Sequence, residues 1–565
     1  MALPDPLSDR QKWPRTVFEP QLVRVLREGY GLAHLRADAI AGLTVAIVAL
    51  PLSMAIAIAS GGTPAMGLYS AIVGGFLVSL LGGSRYQIGG PAGAFIVLVG
   101  GTVALHGIDG MLLATLMAGV MLSAMGLLRL GSYVKFVPYP VTVGFTAGIA
   151  VIIFASQVKE LLGLTLDGPE PGPLLEKLPV IWAALPTANP ATIALAAGTV
   201  ALILVLRRAA PRLPGLLIAV VATTVLAAVL ALPVGTVGSV FGGIPRTLPV
   251  PGLPEITLEK LQAVLPAAIA FTLLGAIESL LSAVVADSMS GDRHDSNTEL
   301  VAQGVGNVGA ALFGGMVVTG TIARTATNVR AGARTPVAGM LHAGFLLGFI
   351  LVAAPLAAFI PLASLAGVLA VVAWNMIERD AIAALLRGMR GEAAVLAVTF
   401  LLTVFRDLTE AILVGVLLGS LLFIRRMSLA TEIERQTAFT HSSRLGRDGD
   451  ATGAGDDLVA VCRIRGAFFF GAAASVSVVL ERIADTHRGL VIDLSGVPFV
   501  DSSAVATLEG LVHKAEARGV VVMLTGTTHE MRQQLFAQGV KPPRVGYEST
   551  AEMGARKLGR ALGRG

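Results

Sequence analysis

The chain has 565 residues, of which 54% are hydrophobic and 14% are charged, with a mean hydropathy of +0.76 and a formal net charge of +5. Soluble domains carry about 25% charged residues, so this composition excludes a soluble globular protein and predicts a polytopic membrane protein. The single cysteine, Cys462, excludes an intrachain disulfide framework and a cysteine cluster for a metal. The basic first 35 residues contain no apolar core, and no cleavable signal is predicted there.

Apolar stretches of about 20 residues, the length that crosses a bilayer, follow one another up to residue 426. Arginine and lysine residues cluster in alternate turns between them, which by the positive-inside rule predicts that both termini are cytoplasmic. Fourteen spans are predicted, near residues 37–60, 64–82, 88–105, 109–130, 136–159, 191–207, 213–233, 262–287, 298–315, 321–335, 336–356, 361–377, 390–405 and 408–425.

The composition changes after residue 426, where a polar, glycine-rich stretch, "SSRLGRDGDATGAGDD", leads into apolar runs that alternate with helical patterns. Strands that alternate with helices are typical of a small soluble α/β domain. The even number of spans places this domain in the cytoplasm. We therefore divide the chain into a cytoplasmic N-terminal segment (1–36), a transmembrane transport domain (37–426), a linker (427–456) and the α/β domain (457–565).

The transmembrane part contains an internal repeat. "LLGGSRYQIGGPAGAF" (80–95) aligns with "LFGGMVVTGTIARTAT" (312–327), and "FVPYPVTVG" aligns with "FIPLASLAG" further along. Similar segments recur in the same order, and each half holds seven spans. Because seven is odd, the two halves face opposite ways across the membrane. This inverted repeat is typical of secondary transporters.

Glycine and proline or threonine interrupt the repeat at corresponding places, at residues 89–91 within span three and 319–321 at the approach to span ten. Each interruption predicts a short extended segment followed by a half-helix that starts near the membrane midplane, with Pro91 in the first turn of one. Non-helical backbone is tolerated at that depth only inside protein or beside a water-filled cavity. Two helix amino termini would then point unpaired N–H groups and partial positive charge at one cavity.

Arg324 lies in the first turn of the second predicted half-helix. A guanidinium near the bilayer centre costs about 2.5 to 3.5 kcal/mol on insertion scales. A cation added to two positive helix ends favours an anion site. The alternative is that Arg324 extends to the membrane interface or neutralises a structural partner. Arg330 and Arg334, further along the chain, are expected to be interfacial anchors.

Glu278 is the lone charge in the stretch 261–286. A carboxylate at midspan is protonated, paired with a cation or bound to one. The functional interpretation is an ion-coupling site that takes H⁺, or Na⁺ with help from Ser282, and the structural alternative is a partner for Arg324. Two histidines are weaker candidates and are expected to be hydrogen-bonded or interfacial: His106 and His342.

Several motifs in this order carry a family resemblance. "GGSRYQIGGPAGAF", "FVPYPVTVGFTAGIAVII", "ADSMSGDRHDSNTELVAQGVGNVGAALFGG", "TGTIARTATNVRAGARTPVAG" and "VIDLSGVPFVDSSAVATLEGL" together resemble the SulP sulfate-permease family of anion transporters with a C-terminal STAS domain. The resemblance covers nearly the whole chain and is highly specific.

The resemblance implies a core domain and a gate domain of seven-plus-seven inverted topology, with elevator-like movement of the core. Sodium-coupled bicarbonate members of the family carry a carboxylate on span eight and lack the arginine on span ten. This sequence has both Glu278 and Arg324, which resembles the proton-coupled members. By the same resemblance the substrate contacts Gln87, Ile88, Gly89, Ala92, Thr321, Ile322, Ala323 and Arg324, and Leu52 and Ile56 line the cavity.

The STAS domain resembles anti-sigma-factor antagonists, in which a phosphorylatable serine follows an aspartate at a strand-to-helix turn. Ser502 in "VDSSA" occupies that place. A serine at a helix start is ordinarily an N-cap, and we prefer that interpretation to phosphorylation. The domain is also a candidate for dimerisation and for binding a nucleotide or a cytosolic protein.

The sequence therefore predicts a secondary active anion transporter of the bacterial inner (plasma) membrane. We expect a homodimer that moves sulfate or a C4-dicarboxylate with H⁺ and needs no cofactor, metal or nucleic acid. The alternatives are a bicarbonate transporter, which Na⁺ would drive, and a channel-like anion conductor. A nucleobase transporter is a weaker alternative, because a cation in the site suits an anion better than a neutral base. An enzyme is not expected, because the spans contain no H-E-x-x-H, G-x-S-x-G or acidic metal motif.

Overall fold

The computed structural model describes residues 18–132, 137–168, 171, 173–210, 213–406, 408–429, 432–436, 459–470, 473 and 487–562. The chain divides into two compact units, Met1–Val416 and Leu417–Gly565. The boundary lies inside a helix, Leu408–Leu429. Most of the predicted linker 427–456 and the start of the predicted N-terminal segment 1–36 lie outside the described residues.

The described part of the first unit is almost entirely helical. A π-helical turn, Ser70–Gly74, joins α3 to α4, and a 3-10 turn, Gly93–Phe95, leads into α5. The helices are α1 (Gln21–Glu28), α2 (Leu32–Ala59), α3 (Pro64–Tyr69), α4 (Gly75–Leu81), α5 (Ile96–Leu127), α6 (Tyr139–Leu162), α7 (Leu174–Ala184), α8 (Pro190–Ala209), α9 (Gly215–Val229), α10 (Val237–Phe241), α11 (Leu258–Ser290), α12 (Ser296–Leu312), α13 (Ile322–Arg330), α14 (Val337–Ala357), α15 (Leu362–Met376), α16 (Arg379–Arg387), α17 (Arg390–Phe405) and α18 (Leu408–Leu429).

Each of the fourteen predicted spans overlaps a helix of this unit. Among the described residues, eight helical segments are long and apolar enough to cross a membrane: Leu32–Ala59, Pro64–Leu81, Gly93–Leu127, Tyr139–Leu162, Pro190–Ala209, Leu258–Ser290, Val337–Ala357 and Glu410–Ser428. The prediction of a polytopic helical membrane protein is confirmed. The number of crossings and their division into seven plus seven stay predictions.

Predicted spans three and four form one run, α5, with a break in the middle. Gly107 has φ +69° and ψ −177°, outside the helical region, and separates the two halves of α5. Glycine reaches this conformation without the steric penalty that other residues meet. The break falls in the turn predicted between residues 105 and 109, so the two spans are distinct although no loop divides them.

Small residues allow α5 and α12 to approach closely. A Cβ atom added to Gly119 would lie 2.7 Å from the carbonyl oxygen of Gly304, and one added to Gly304 would lie 2.5 Å from the carbonyl oxygen of Gly119. Neither position can carry a larger side chain without moving a helix. Such close packing is the usual reason for glycine at helix interfaces in membranes.

Two short strands interrupt the helices of the first unit. They are β1 (Gly89–Gly90) and β2 (Thr319–Gly320), which pair antiparallel with Gly89 opposite Gly320 and Gly90 opposite Thr319. Each strand lies at one of the interruptions predicted from the sequence. The predicted extended segments are therefore confirmed, and they contact each other directly.

The second unit contains a five-stranded sheet in the order β3-β4-β5-β6-β7, with β3 antiparallel to β4 and the remaining pairs parallel. The predicted α/β domain is confirmed. Its core includes fully buried residues of the strands and helices: Leu490, Ile492, Leu508, Leu524 and Leu535. Its elements are β3 (Glu432–Gln436), β4 (Val459–Arg465), β5 (Gly489–Gly496), α19 (Ser502–Ala517), β6 (Val521–Thr525), α20 (His529–Ala537), β7 (Val545–Glu548) and α21 (Ala551–Leu562).

A buried aspartate joins the strands of this sheet. Asp493 on β5 accepts a hydrogen bond from Arg463 Nε on β4 at 2.7 Å and one from Thr525 Oγ1 on β6 at 3.3 Å. Burial alone would raise the pKa of Asp493, but Arg463 and the hydrogen bonds from Ser495 outweigh burial and lower it. The carboxylate is thus held ionised inside the domain, where a charge persists only with partners.

Candidate functional site

The paired strands bring the two predicted half-helices together. The N–H of Thr321 donates to the carbonyl of Ile88 at 3.2 Å, which extends the pairing by one bond. Thr321 then caps α13 without a side-chain hydrogen bond. Pro91 was predicted to lie in a first helical turn. This prediction is wrong, because the turn begins two residues later at Gly93. The carbonyl of Pro91 accepts a hydrogen bond from Arg324 Nη2.

Arg324 is the central charge of this arrangement and is 1% exposed. Its Nη2 donates to Ser53 Oγ at 3.1 Å and to the Pro91 carbonyl at 3.0 Å. A guanidinium has five N–H donors, so three of them, on Nε and Nη1, have no protein partner. Burial excludes the interfacial position considered for this side chain. Within the described residues, no carboxylate lies within 4.0 Å of the guanidinium.

Two glycines make room for the side chains that cover the strands. A Cβ atom on Gly90 would overlap Arg324 Nη1, and one on Gly320 would overlap Gln87 Nε2. The arginine and the glutamine therefore lie directly against the backbone of β1 and β2. Glycine at these positions is required by close approach, since neither residue has a positive φ.

The first turn of α13 presents backbone donors. The N–H groups of Ile322, Ala323 and Arg324 precede the first intrahelical bond, which Thr325 makes to the Thr321 carbonyl at 2.9 Å. Ile322 and Ala323 are exposed, whereas the Thr321 hydroxyl is buried without a partner. Unpaired N–H groups beside a guanidinium suit an oxyanion.

The remaining residues predicted for the first half lie on β1 or beside it. Gln87 Nε2 donates to the Ser279 carbonyl at 2.9 Å and leaves its Oε1 without a partner, and the N–H of Ile88 donates to Thr325 Oγ1 at 3.2 Å. Ala92 is buried directly before the turn into α5. These contacts fix β1 to α11 and α13.

Leu52 and Ile56 are buried on α2. Ser53 lies between them and was not predicted as a site residue. Its Oγ accepts the hydrogen bond from Arg324 Nη2. Sequence reasoning missed Ser53, although a hydroxyl in the apolar run "ALPLSMAIAIA" was a signal.

Glu278 projects from α11 and is partly exposed, and its Oε2 is buried without a hydrogen-bond partner. No ion pair within 4.0 Å joins it to Arg324. Ser282, one turn later, is fully buried and donates to Thr325 Oγ1 at 3.1 Å. Its hydroxyl therefore attaches α11 to α13.

Another acidic residue of this region was not singled out from the sequence. Glu299, near the start of α12, is fully buried. Its Oε2 accepts from the N–H groups of Gly83 at 2.9 Å and Ser84 at 3.1 Å, and its Oε1 accepts from Gln303 Nε2 at 2.8 Å. Glu299 on α12 thus has donors on both carboxyl oxygens, whereas the buried Oε2 of Glu278 on α11 has none.

His342 corrects a prediction. It was expected to be hydrogen-bonded or interfacial, but it is fully buried on α14 and neither ring nitrogen has a partner. His106 is exposed. In the part of the chain that the structure describes, no group of three or more His, Cys, Asp or Glu side chains could hold a metal ion.

A second correction concerns Ser502, which was expected to be the N-cap of its helix. Asp501, not Ser502, is the N-cap of α19, and its carboxylate accepts from the N–H of Ala504 at 2.8 Å and of Phe470 at 3.0 Å. An aspartate caps a helix as well as a serine does, and the sequence pattern could not decide between neighbours. Ser502 occupies the first helical position and is exposed. Its phosphorylation stays a prediction.

Comparison with known proteins gives a consistent match along the chain. The family model "Sulfate permease family" matches residues 35–399 and the model "STAS domain" matches residues 453–544. "Putative sulfate transporter YvdB" of Bacillus subtilis is 43% identical over 515 residues, which are 91% of this chain and 95% of the relative. "Bicarbonate transporter BicA" of Synechocystis is 33% identical over 522 residues, 89% of this chain and 90% of the relative.

Two solved structures are similar. The murine Solute Carrier 26 family member A9 anion transporter in the inward-facing state has a TM-score of 0.84 at 19% identity, and the match covers 98% of this chain and 97% of the other. At that identity the likeness concerns the fold. The transmembrane domain of a cyanobacterial bicarbonate transporter, BicA, has a TM-score of 0.58 at 32% identity, and the match covers 69% of this chain and 98% of the other.

Proposed function

The chain belongs to the sulfate permease family and carries a C-terminal STAS domain, and from this premise we propose that it is a secondary active anion transporter. The observation that carries the proposal is Arg324, a buried guanidinium with three unpaired N–H donors at the amino terminus of α13. An uncompensated buried cation is costly. A bound anion between β1, β2 and the first turn of α13 would offset that cost.

We propose H⁺ as the coupling ion and Glu278 as its carrier. The argument is the contrast between the carboxyl groups of Glu278 and Glu299. Three N–H donors bond the carboxyl oxygens of Glu299, whereas the buried oxygen of Glu278 has no hydrogen-bond partner. A carboxyl group without donors in a membrane interior can take up a proton at lower cost than it can stay charged.

The proposed substrates are sulfate or a C4-dicarboxylate. Both need the same cluster of donors, and relatives named as sulfate transporters support sulfate. Bicarbonate, with Na⁺ in place of H⁺ as the coupling ion, is the alternative that relatives named as bicarbonate transporters support. A channel-like anion conductor would use the same cation without coupling, so its flux would ignore a pH gradient.

We propose an elevator-like movement of one helical group against another. β2 and α13 pack against α11, β1 packs against α4, and α12 packs against α5, α11 and α4. In contrast, α6 packs against α15, α17 and α8. This grouping agrees with the core and gate domains implied by the resemblance. The anion would then move with the core, since both strands that hold it belong to that group.

The remaining features follow from the family. We propose a protein of the bacterial plasma membrane with both termini cytoplasmic, assembled as a homodimer, with a STAS domain that binds a nucleotide or a cytosolic protein. The relatives are transporters, and we propose that this chain has no catalytic activity and uses no cofactor.

The test is uptake of labelled sulfate, succinate and bicarbonate by the purified protein in liposomes, with pH and sodium gradients imposed separately. Proton-driven accumulation of sulfate or succinate is expected. Accumulation of bicarbonate that follows only the sodium gradient would favour the alternative. Flux that collapses the anion gradient regardless of pH would identify a conductor, and no flux of any of the three anions would contradict the proposal.

A further inference from the structure

We propose that a polar ladder on α12, formed by Glu299, Gln303 and Asn307, positions β1 and β2 and thereby the cation of the anion site. The inference rests on the proposed function, since it concerns how the same site is held in place. The three side chains are each fully buried. They follow one another at intervals of four residues and therefore share one face of the helix over about 12 Å.

The upper rung holds the approach to β2. Asn307 Oδ1 accepts from the N–H of Val318 at 2.8 Å, and Asn307 Nδ2 donates to the carbonyl of the same residue at 2.8 Å. A side-chain amide thus makes the two bonds that a neighbouring strand would make. Val318 directly precedes β2, and Arg324 follows six residues later. The rung fixes the backbone on which α13 begins.

The lower rung holds the approach to β1. Glu299 accepts from the N–H groups of Gly83 and Ser84, in the segment between α4 and β1. Those N–H groups are buried with it, and a buried backbone donor without a partner is costly. One helix therefore supplies polar contacts to the lead-in segments of both strands.

Gln303 connects the two rungs. Its Nε2 donates to Glu299 Oε1 at 2.8 Å, and its backbone carbonyl accepts from Asn307 Nδ2 at 2.8 Å. Its own side-chain oxygen has no partner. This unpaired oxygen predicts how the ladder responds to substitution, because the amide can turn over and present an acceptor in place of a donor.

The helix that carries the ladder has little freedom to shift. A Cβ atom on Gly306 would lie 2.8 Å from Val78 on α4 and 3.1 Å from the carbonyl of Gly74. With α12 also in close contact with α5 through Gly304, the ladder is a fixed reference for both strands. A substitution of a ladder residue should therefore displace the strand and leave the helix in place.

Asn307→Leu removes the upper rung and keeps the number and branching of the side-chain heavy atoms. We expect the affinity for the transported anion to fall at least tenfold while the maximal transport rate changes less, because Arg324 is still present but misplaced. Asn307→Asp, which keeps the acceptor and loses the donor, should act in the same direction. The matched control is Thr199→Val, which removes a buried hydroxyl that bonds only within α8.

Glu299 separates positioning from charge. Glu299→Gln should retain anion affinity within about twofold, because the new amide oxygen can accept from Gly83 and the Gln303 amide can turn over to accept from the new N–H₂. Glu299→Leu has neither option and should lose affinity at least tenfold. Rescue by glutamine but not by leucine would show that the hydrogen bonds, and not a titrating proton, are what the site needs.

A spin label at Arg330→Cys, at the exposed end of α13, gives a readout independent of transport. The native Cys462 is buried and is replaced by alanine in this background. Asn307→Leu should increase the mobility of the label, and Thr199→Val should not. Unchanged mobility, or unchanged affinity for labelled sulfate, succinate and bicarbonate, overturns the ladder proposal.

Failure of the proposed function looks different. If Arg324→Ala leaves anion affinity unchanged, the site assignment fails whatever the ladder does. If Arg324→Ala abolishes affinity while Asn307→Leu, Asn307→Asp and Glu299→Leu do not, only the ladder proposal fails. Should Asn307→Leu not reach the membrane, Asn307→Asp carries the same comparison.

Discussion

Arg324 is the residue on which the proposed site depends most. Arg324→Ala removes a guanidinium with three unpaired N–H donors, and charge-assisted hydrogen bonds contribute about 1.5 to 3 kcal/mol each. We expect anion affinity to fall more than tenfold in equilibrium binding to the purified protein. Arg324→Lys should recover only part, because an ammonium cannot bond Ser53, the Pro91 carbonyl and an anion in the same geometry.

The control for Arg324 is Arg330→Ala. Arg330 lies on the same helix but is exposed, so its removal subtracts one positive charge from α13 without touching the strands. Affinity should stay within about twofold. Equal losses in the two variants would mean that general electrostatic attraction, and not a specific site, governs binding.

Glu278 tests the coupling at the same scale. Glu278→Gln imitates the protonated carboxyl, so it should keep anion binding and exchange but abolish accumulation driven by an inward proton gradient. Uptake of labelled anion with and without that gradient makes the comparison, and Glu259→Gln, an exposed carboxyl on the same helix, is the control. A mutant that still concentrates substrate as the wild type does would move the coupling group elsewhere.

Single residues were predicted from the sequence where the signal was local. Arg324 and Glu278 stand out as lone charges in apolar runs, and both lie where the strands and half-helices meet. Ser53 and Glu299 were missed because their partners are remote in sequence: Arg324 is 271 residues from Ser53, and Gly83 is 216 residues from Glu299. No periodicity or spacing reports a hydrogen bond across such a distance.

The paired strands allow a prediction at the level of the element. Gly90→Ala places a methyl group where Arg324 Nη1 lies, so either the guanidinium or β1 must move. We expect a loss of anion affinity approaching that of Arg324→Ala, with the protein still inserted in the membrane. Gly101→Ala on α5, where nothing lies within 4 Å of the added atom, is the control and should be neutral or slightly stabilising.

Elements were predicted more fully than their contacts. Glycine and proline located β1 and β2, and the inverted repeat predicted that both would be followed by half-helices. The turn between β1 and α5 was placed two residues too early, since Pro91 is compatible with a first helical turn and also with the extended backbone it adopts. The short helices α7, α10 and α16 were not predicted, because they are too short for an apolar span and lie in segments read as turns.

At the scale of the whole molecule, the change in composition after residue 426 predicted the second domain correctly in class. The exact division was harder to predict, because α18 continues through it. The division between the two compact units falls between Val416 and Leu417, within that helix. Hydropathy reports the end of an apolar run, whereas the units are defined by packing, and one helix can belong to both.

Removal of the STAS domain is the corresponding whole-molecule prediction. A stop codon after Leu429 ends the chain at the last residue of α18 and removes β3, which otherwise pairs with β4 of the STAS sheet. The strands, α13 and Arg324 all belong to the first unit, so the truncated protein should insert and bind anion with an affinity within about threefold of the full chain. A similar transmembrane domain, that of a bicarbonate transporter, has been solved as a separate structure whose chain matches 69% of this one.

Binding to the purified truncated protein is the measurement, and a stop after Gln436, which leaves β3 without its neighbour, is the comparison. Loss of binding in a well-folded truncation at Leu429 would mean that the second unit completes the site. Retained binding with slower uptake would instead assign the STAS domain to the movement of the transporter or to its assembly.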